Sequence, residues 1–118
     1  MELKISSRSQ DDVAVVTVGG EIDLYTAPQL RTELVESLEM GARRLVIDMS
    51  RAEFCDSTGI SVLLSAMKRS RDRGGDLELV APKPAVMKVL QVTGLDEVFV
   101  IHPDVDASPV AAGTGSAQ

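Results

Sequence analysis

The sequence predicts an α/β fold in which strands and helices alternate around one core, and three observations carry that prediction. Val13 to Val18 reads Val-Ala-Val-Val-Thr-Val, a run rich in β-branched residues that stops at Gly19-Gly20. From Thr26 to Met40 the apolar residues fall instead at three- and four-residue spacing, as Ala27, Leu30, Leu34 and Leu38. Arg44 to Met49 (Arg-Leu-Val-Ile-Asp-Met) then returns to a short, nearly continuous apolar run, the pattern of a strand covered on both faces by helices. This alternation continues along the chain and specifies a layered architecture with right-handed crossovers. At 118 residues there is material for one core and not for two of ordinary size.

Taken in order, Leu3 to Ser7 and Val13 to Val18 flank the polar turn Gln10-Asp11-Asp12 and predict a β-hairpin. In Thr26-Ala27-Pro28-Gln29, Thr26 can cap a helix, Gln29 can answer it three residues later, and Pro28 fits the first turn. Gly41 offers that helix a left-handed stop. The strand at Arg44 to Met49 is expected at the centre of the sheet. A second helix follows Asp56-Ser57-Thr58-Gly59, with Ile60, Leu63, Leu64 and Met67 on one face and Gly74-Gly75 at its end. Leu77 to Ala81 reads as the next strand, and Pro84 opens a third helix that carries Val86, Val89 and Leu90 and ends at Gly94. Val98 to Ile101 closes the sheet. From Pro103 onward the chain is mostly Ala, Ser, Gly, Pro and Asp, with too little to bury to offset the entropy of ordering. Residues 103–118 are therefore expected to form a disordered tail behind a folded domain of residues 1–102.

Composition narrows the partners. Twelve basic against eighteen acidic residues give a formal net charge of −6, a field that repels nucleic-acid phosphates and anionic membrane surfaces. No nucleic acid and no membrane is expected as a partner. No apolar run approaches the roughly 18 residues that a membrane-spanning helix needs, and no N-terminal stretch has the pattern of a secretory signal. The single cysteine, Cys55, cannot form an internal disulfide, so the expected setting is a reducing cytoplasm. His102 has no second histidine or cysteine pair with which to build a metal site or a catalytic dyad, and no cofactor is expected. With no Trp, one Tyr and two Phe, aromatic stacking is not expected to carry recognition.

The chemistry concentrates in Phe54-Cys55-Asp56-Ser57-Thr58-Gly59-Ile60, which places two hydroxyls at the start of a helix directly after the central strand. In open α/β sheets that is where function gathers. A phosphate on Ser57 would meet free backbone N–H groups and the positive end of the helix dipole, so the fold would tolerate it. It would also add about 1.5 to 2 negative charges beside Asp56, and a partner packed there would meet bulk and repulsion. Gly59, in the first turn, is a poorer helix former than Ala by roughly 1 kcal/mol, which points to something approaching the backbone closely, a kinase or partner loop being one candidate. On the residues alone, Asp and Ser are also ordinary helix caps.

Two separated stretches together resemble the STAS domain family, in particular its small anti-sigma factor antagonists, or anti-anti-sigma factors. Gly20-Glu21-Ile22-Asp23-Leu24-Tyr25-Thr26-Ala27-Pro28 is similar to that family's approach to its first helix, and Asp56-Ser57-Thr58-Gly59-Ile60 to its phosphorylation motif. Leu45-Val46-Ile47-Asp48-Met49 stands at the family's usual distance before the motif, and Ser61 stands where many members carry a second glycine. The resemblance spans the domain of residues 1–102. It implies a STAS fold, a four- to five-stranded mixed sheet with α-helices packed on one side, in a cytoplasmic bacterial regulator that is not an enzyme. It also implies that Ser57, in preference to Thr58, is the phosphoacceptor. Unphosphorylated, such a protein binds an anti-sigma factor that is also a serine kinase of the histidine-kinase-like ATPase fold, and so releases a sigma factor. The kinase switches it off with ATP, and a metal-dependent serine phosphatase restores it, so ATP and metal belong to the partners. The implied docking surface takes in Asp23 and Thr26, expected near Ser57, together with Asp56, Ser57, Thr58, Gly59 and Ile60.

Two other classes compete. One is a STAS scaffold or sensory module of a stressosome or lipid-transport assembly without reversible phosphorylation. The other is a small hydrolase with Ser57 as nucleophile, disfavoured because no histidine is near it in sequence and the G-x-S-x-G elbow is absent. Elsewhere, Cys55 and Met87 are expected as packing residues, and Asp48 and Asp56 as capping and loop carboxylates instead of an acid–base pair. The basic run Lys68 to Arg73 is expected as a solvated helix end, and His102 as a surface residue.

Overall fold

Strands β1 (Lys4–Gln10) and β2 (Val13–Ile22) pair antiparallel around the two-residue turn Asp11-Asp12, in register from Lys4↔Gly19 to Gln10↔Val13. The computed structural model describes residues 3–104, so the expected tail lies, beyond Asp104, outside the described residues. Asp11 takes a φ of +58°, a left-handed conformation that a short polar side chain tolerates and a tight hairpin requires. The Asp12 carbonyl accepts bonds from the Arg43 and Arg44 amides, which ties the hairpin to the start of β3 (Arg44–Cys55). Strands β4 (Leu77–Val80) and β5 (Val100–His102) add in parallel, giving a five-stranded mixed sheet in the order β1-β2-β3-β4-β5 with β3 at its centre.

Helices α1 (Ala27–Glu39), α2 (Ser57–Asp72) and α3 (Pro84–Val92) link β2 to β3, β3 to β4 and β4 to β5. Each parallel step moves one strand in the same direction, so right-handed crossovers place all three helices on one face. The core agrees. Leu30 and Leu34 of α1, Leu63 and Met67 of α2, and Val86 and Leu90 of α3 bury in one cluster with Ala14, Val16, Leu45, Ile47, Leu77 and Leu79, strand residues that the register aligns on a single face. This is the one-sided mixed sheet that the resemblance implies.

The apolar run at Leu45 to Ile47 pointed instead to helices on both faces, and the difference has a local cause. Val46 points away from the helices yet is only 2% exposed, because it lies in register between Val15 and Glu78. Glu78 shares that face with Arg44, which grips its carboxylate through Nε and through Nη2 at 2.9 Å, and with His102, whose Nε2 lies 2.7 Å from Oε1. Burial pushes the Glu78 carboxyl up, but the bonds from Arg44 and His102 outweigh it and hold the group below the usual carboxylate range. His102 is thus a half-buried partner of Glu78 and not a free surface residue.

Strands β2 and β3 both run past the boundaries read from the sequence. Beyond register shifts around Thr17 and Gly20 they pair again as Gly19↔Arg51, Gly20↔Ala52, Glu21↔Phe54 and Ile22↔Cys55. The glycines mark irregularities inside a strand, not its end. The basic run also differs from expectation: Arg71 donates to Asp76 Oδ1 and to the Val98 carbonyl, both at 2.9 Å, and Arg73 donates to the Leu38 carbonyl. These two arginines fasten chain crossings where a solvated helix end was expected. A 3-10 turn at Leu95–Glu97, unforeseen from the pattern, leads into β5.

Candidate functional site at the mouth of the second helix

The extended β2 and β3 deliver two loops to the same end of the sheet, joined by a bond from the Asp56 amide to the Ile22 carbonyl at 2.9 Å. One loop, Asp23 to Thr26, leads into α1. The other is only Asp56, the cap of α2, whose Oδ1 accepts the Gly59 amide at 3.0 Å. Ser57 follows as the first residue of α2, exposed, and its hydroxyl has no hydrogen-bond partner among the described residues. Thr58 is half-buried, and Gly59 and Ile60 are buried beneath it.

The close approach that Gly59 implies comes from inside the molecule. A Cβ there would sit 2.5 Å from Ile22 Cγ2 and 2.7 Å from Cys55 Sγ, so the glycine lets α2 start directly on the β2–β3 rung. Cys55 is buried, and desolvation, helped by the Asp56 charge, pushes its thiol up to about 12. A thiol that resists ionisation is a packing group, not a nucleophile.

The Asp23 loop is held by its own polar groups. Asp23 Oδ1 accepts the Tyr25 and Thr26 amides at 2.9 and 3.0 Å, and the Thr26 hydroxyl donates to the Glu21 carbonyl at 2.8 Å while accepting the Asp23 amide at 2.9 Å. The bond from the Thr26 amide, with smaller help from Tyr25 and the Thr26 hydroxyl, holds the Asp23 carboxyl below its usual range against a desolvation that raises it. Thr26 is 5% exposed, so it shapes the loop from beneath. The loop in turn holds Leu24 and Tyr25 outward at 62% and 85% exposure, and Phe54, opposite Glu21 on β3, is 42% exposed. Sequence reasoning missed these three side chains. The available signal was Leu24-Tyr25 inside an Asp-x-x-Thr turn, where the turn's own bonds turn large apolar groups away from the core.

The arrangement offers a surface instead of an enclosed reaction site. Asp48 lies within β3 and not in a loop or at a helix cap as expected, and its Oδ1 accepts the Ser50 amide at 3.0 Å. His102 is engaged at β5 by Glu78. Among the described residues no group of three His, Cys, Asp or Glu could hold a metal ion, and no helix is long and apolar enough to cross a membrane.

In this one-sided α/β domain the second helix opens on an exposed serine, beside a hydrogen-bonded loop that bears exposed apolar side chains. The family model for the STAS domain matches residues 4–108, and the chain belongs to that family. The relatives it matches include anti-sigma factor antagonists. It is 26% identical over 102 residues to the anti-sigma-B factor antagonist of Staphylococcus aureus, covering 86% of this chain and 94% of that one. The crystal structure of an anti-sigma factor antagonist from Mycobacterium paratuberculosis is 32% identical and superposes with a TM-score of 0.80 over 98% of this chain and 95% of that one. The Bacillus cell fate determinant SpoIIAA, solved in a phosphorylated form, shares the fold at 20% identity, with a TM-score of 0.69 over 96% of this chain and 97% of that one.

Proposed function

We propose that the chain is an anti-sigma factor antagonist that binds, unphosphorylated, an anti-sigma factor with serine kinase activity, and that phosphate on Ser57 ends the binding. The observation that carries this reading is the position of Ser57: first residue of α2, exposed, with an unengaged hydroxyl next to a cap carboxylate that is already fixed on Gly59. A phosphoryl group added there meets the free first-turn N–H groups and leaves the packed side of the helix untouched. Its charge joins those of Asp56 and Asp23 on the surface, which a docked partner must desolvate. Thr58, half-buried, is the poorer acceptor.

In this reading Asp23, Asp56, Ser57 and Thr58 form the polar part of the docking surface, and Leu24, Tyr25 and Phe54 its apolar part. Thr26, Gly59 and Ile60 shape it from below. The chain contributes no catalysis of its own. The kinase brings ATP, a serine phosphatase removes the phosphate, and the exchange takes place in the bacterial cytoplasm, with the released sigma factor as its output. The anti-sigma factor antagonists among its relatives support the partner class, and the phosphorylated form of SpoIIAA supports the modification.

The test combines mass spectrometry and calorimetry with the cognate anti-sigma factor. Incubation with that kinase and ATP should place one phosphate on Ser57, and its absence from Ser57 refutes the assignment. Ser57→Ala should bind like the wild type, whereas Ser57→Asp should bind about 100-fold more weakly, since like-charge contact costs several kcal/mol. Equal affinity of the two variants would overturn the electrostatic mechanism.

A further inference from the structure

We infer that the open face of the sheet carries a second site, for a small soluble phosphate dianion, between Lys4 of β1 and Arg51 of β3. Lys4, Gly19 and Arg51 occupy one rung across three strands. A Cβ built on Gly19 would lie 3.5 Å from Arg51 Cβ and 3.8 Å from Lys4 Cβ, so the three positions share a face and the middle one is empty. Two residues along, and so on the same face, Ser6 pairs with Thr17. Lys4, Ile5, Ser6, Thr17, Gly19 and Arg51 line a shallow depression of about 230 Å³ that is open to solvent.

In a chain of net charge −6, Arg43, Arg44, Arg71 and Lys83 each pair with a carboxylate. Lys4 and Arg51 have no hydrogen bond or ion pair with another described residue, although the gap at Gly19 sets their side chains on either side of one hollow. Among the described residues Arg8, Arg31, Lys68, Arg69 and Lys88 also stand without an ion pair, and what marks Lys4 and Arg51 is that they flank a hollow whose middle position is a glycine. The carboxylate next along the sheet is Asp48, opposite Thr17, and its Oδ1 is turned to the Ser50 amide.

An ammonium, a guanidinium and two hydroxyls around a space with no side chain in its middle form a donor set that fits the oxygens of a tetrahedral dianion. A dianion answers both cations at once, whereas a monovalent ion answers one. The overall negative charge opposes every anion, but an extended polyanion such as a lipid surface or nucleic acid meets far more of it than one small dianion does, which favours soluble phosphate, inorganic or as a small monoester. Bound there, it would tie the edge strand β1 to β3 across β2.

The test is an amide-resolved NMR titration of the full chain with inorganic phosphate at mildly alkaline pH, with sodium chloride at matched ionic strength as control. Saturable shifts at Ser6, Thr17, Gly19 and Arg51 are expected, with a Kd on the order of 1 mM, as two charge-assisted contacts at an open site supply. The double variant K4Q/R51Q should keep the wild-type spectrum elsewhere and bind at least about tenfold more weakly. Thermal unfolding gives a second reading: phosphate in tenfold excess over Kd should raise the wild-type Tm by more than it raises that of K4Q/R51Q. Shifts that fail to saturate, that chloride reproduces, or that persist in K4Q/R51Q would overturn the site. Co-sedimentation with vesicles of phosphatidylcholine and phosphatidic acid that depends on Lys4 and Arg51 would overturn the assignment to a soluble ligand.

Discussion

The first two helices begin with the same kind of residue and use it in opposite ways. Asp56 caps α2 with its side chain, accepting the Gly59 amide at 3.0 Å. Thr26 stands at the same position of α1 but makes no side-chain cap bond; its hydroxyl goes back to Glu21 and Asp23. Gln29, which the capping-box pattern assigns to answer Thr26, bonds the Leu3 carbonyl at 3.1 Å. The difference follows from what each preceding segment leaves unsatisfied. Strand β3 runs up to Asp56, whose amide is taken by Ile22, so the cap side chain is free to serve the helix. Strand β2 ends four residues before α1, and its turn strands backbone groups that Thr26 must serve first. One helix start therefore fixes a loop and turns Leu24 and Tyr25 outward, while the other leaves a hydroxyl at the surface.

The sharpest way to break this contrast is Thr26→Val, which keeps the shape and removes the hydroxyl. The Asp23 amide and the Glu21 carbonyl then lose their partner, and unfolding by denaturant should show a loss of about 2 kcal/mol. A loss no larger than a few tenths would mean that the Asp23 carboxylate alone holds the loop. The corresponding change at the second helix, Gly59→Ala, drives a methyl into Ile22 and Cys55. Overpacking of about 1 to 3 kcal/mol, offset by roughly 1 kcal/mol of helix propensity, should leave a net loss of up to about 2 kcal/mol in the same experiment. A stabilised Gly59→Ala would show that α2 can slide off the β2–β3 rung, and that Ser57 is less firmly placed than its backbone bonds indicate.

The elements that depend on local pattern were legible in the chain: the hairpin at Asp11-Asp12, the core positions of α1 at Leu30 and Leu34, and the cap of α2 at Asp56. So was the exposure of a serine at a helix start. What was not legible depends on contacts between distant residues. Glu21 to Ile22 and Phe54 to Cys55 extend two strands because they pair with each other, and neither stretch signals this alone. Val46 reads as covered by a helix because the run Leu45 to Ile47 looks the same whether an apolar layer or the Arg44, Glu78 and His102 group lies over it. Gly59 signalled a close approach without saying from which side. Leu24 and Tyr25 were passed over because their exposure follows from hydrogen bonds of Asp23 and Thr26, groups that composition treats only as polar.

The smallest expected effect tests the Asp23 side of the comparison through pH. The Asp23 carboxyl is held below its unfolded value chiefly by the Thr26 amide. Its contribution is therefore complete above the unfolded pKa of about 3.9 and is lost as pH falls through the lower folded value. Asp23→Asn keeps an oxygen for the same two amides but carries no charge to titrate. The wild type should be modestly the more stable at neutral pH, and the gap should close as pH drops below about 4. Urea midpoints of the two proteins across that range decide it. A gap that stays constant would mean that the geometry of the acceptor, and not its charge, holds the loop that presents Leu24 and Tyr25 beside Ser57.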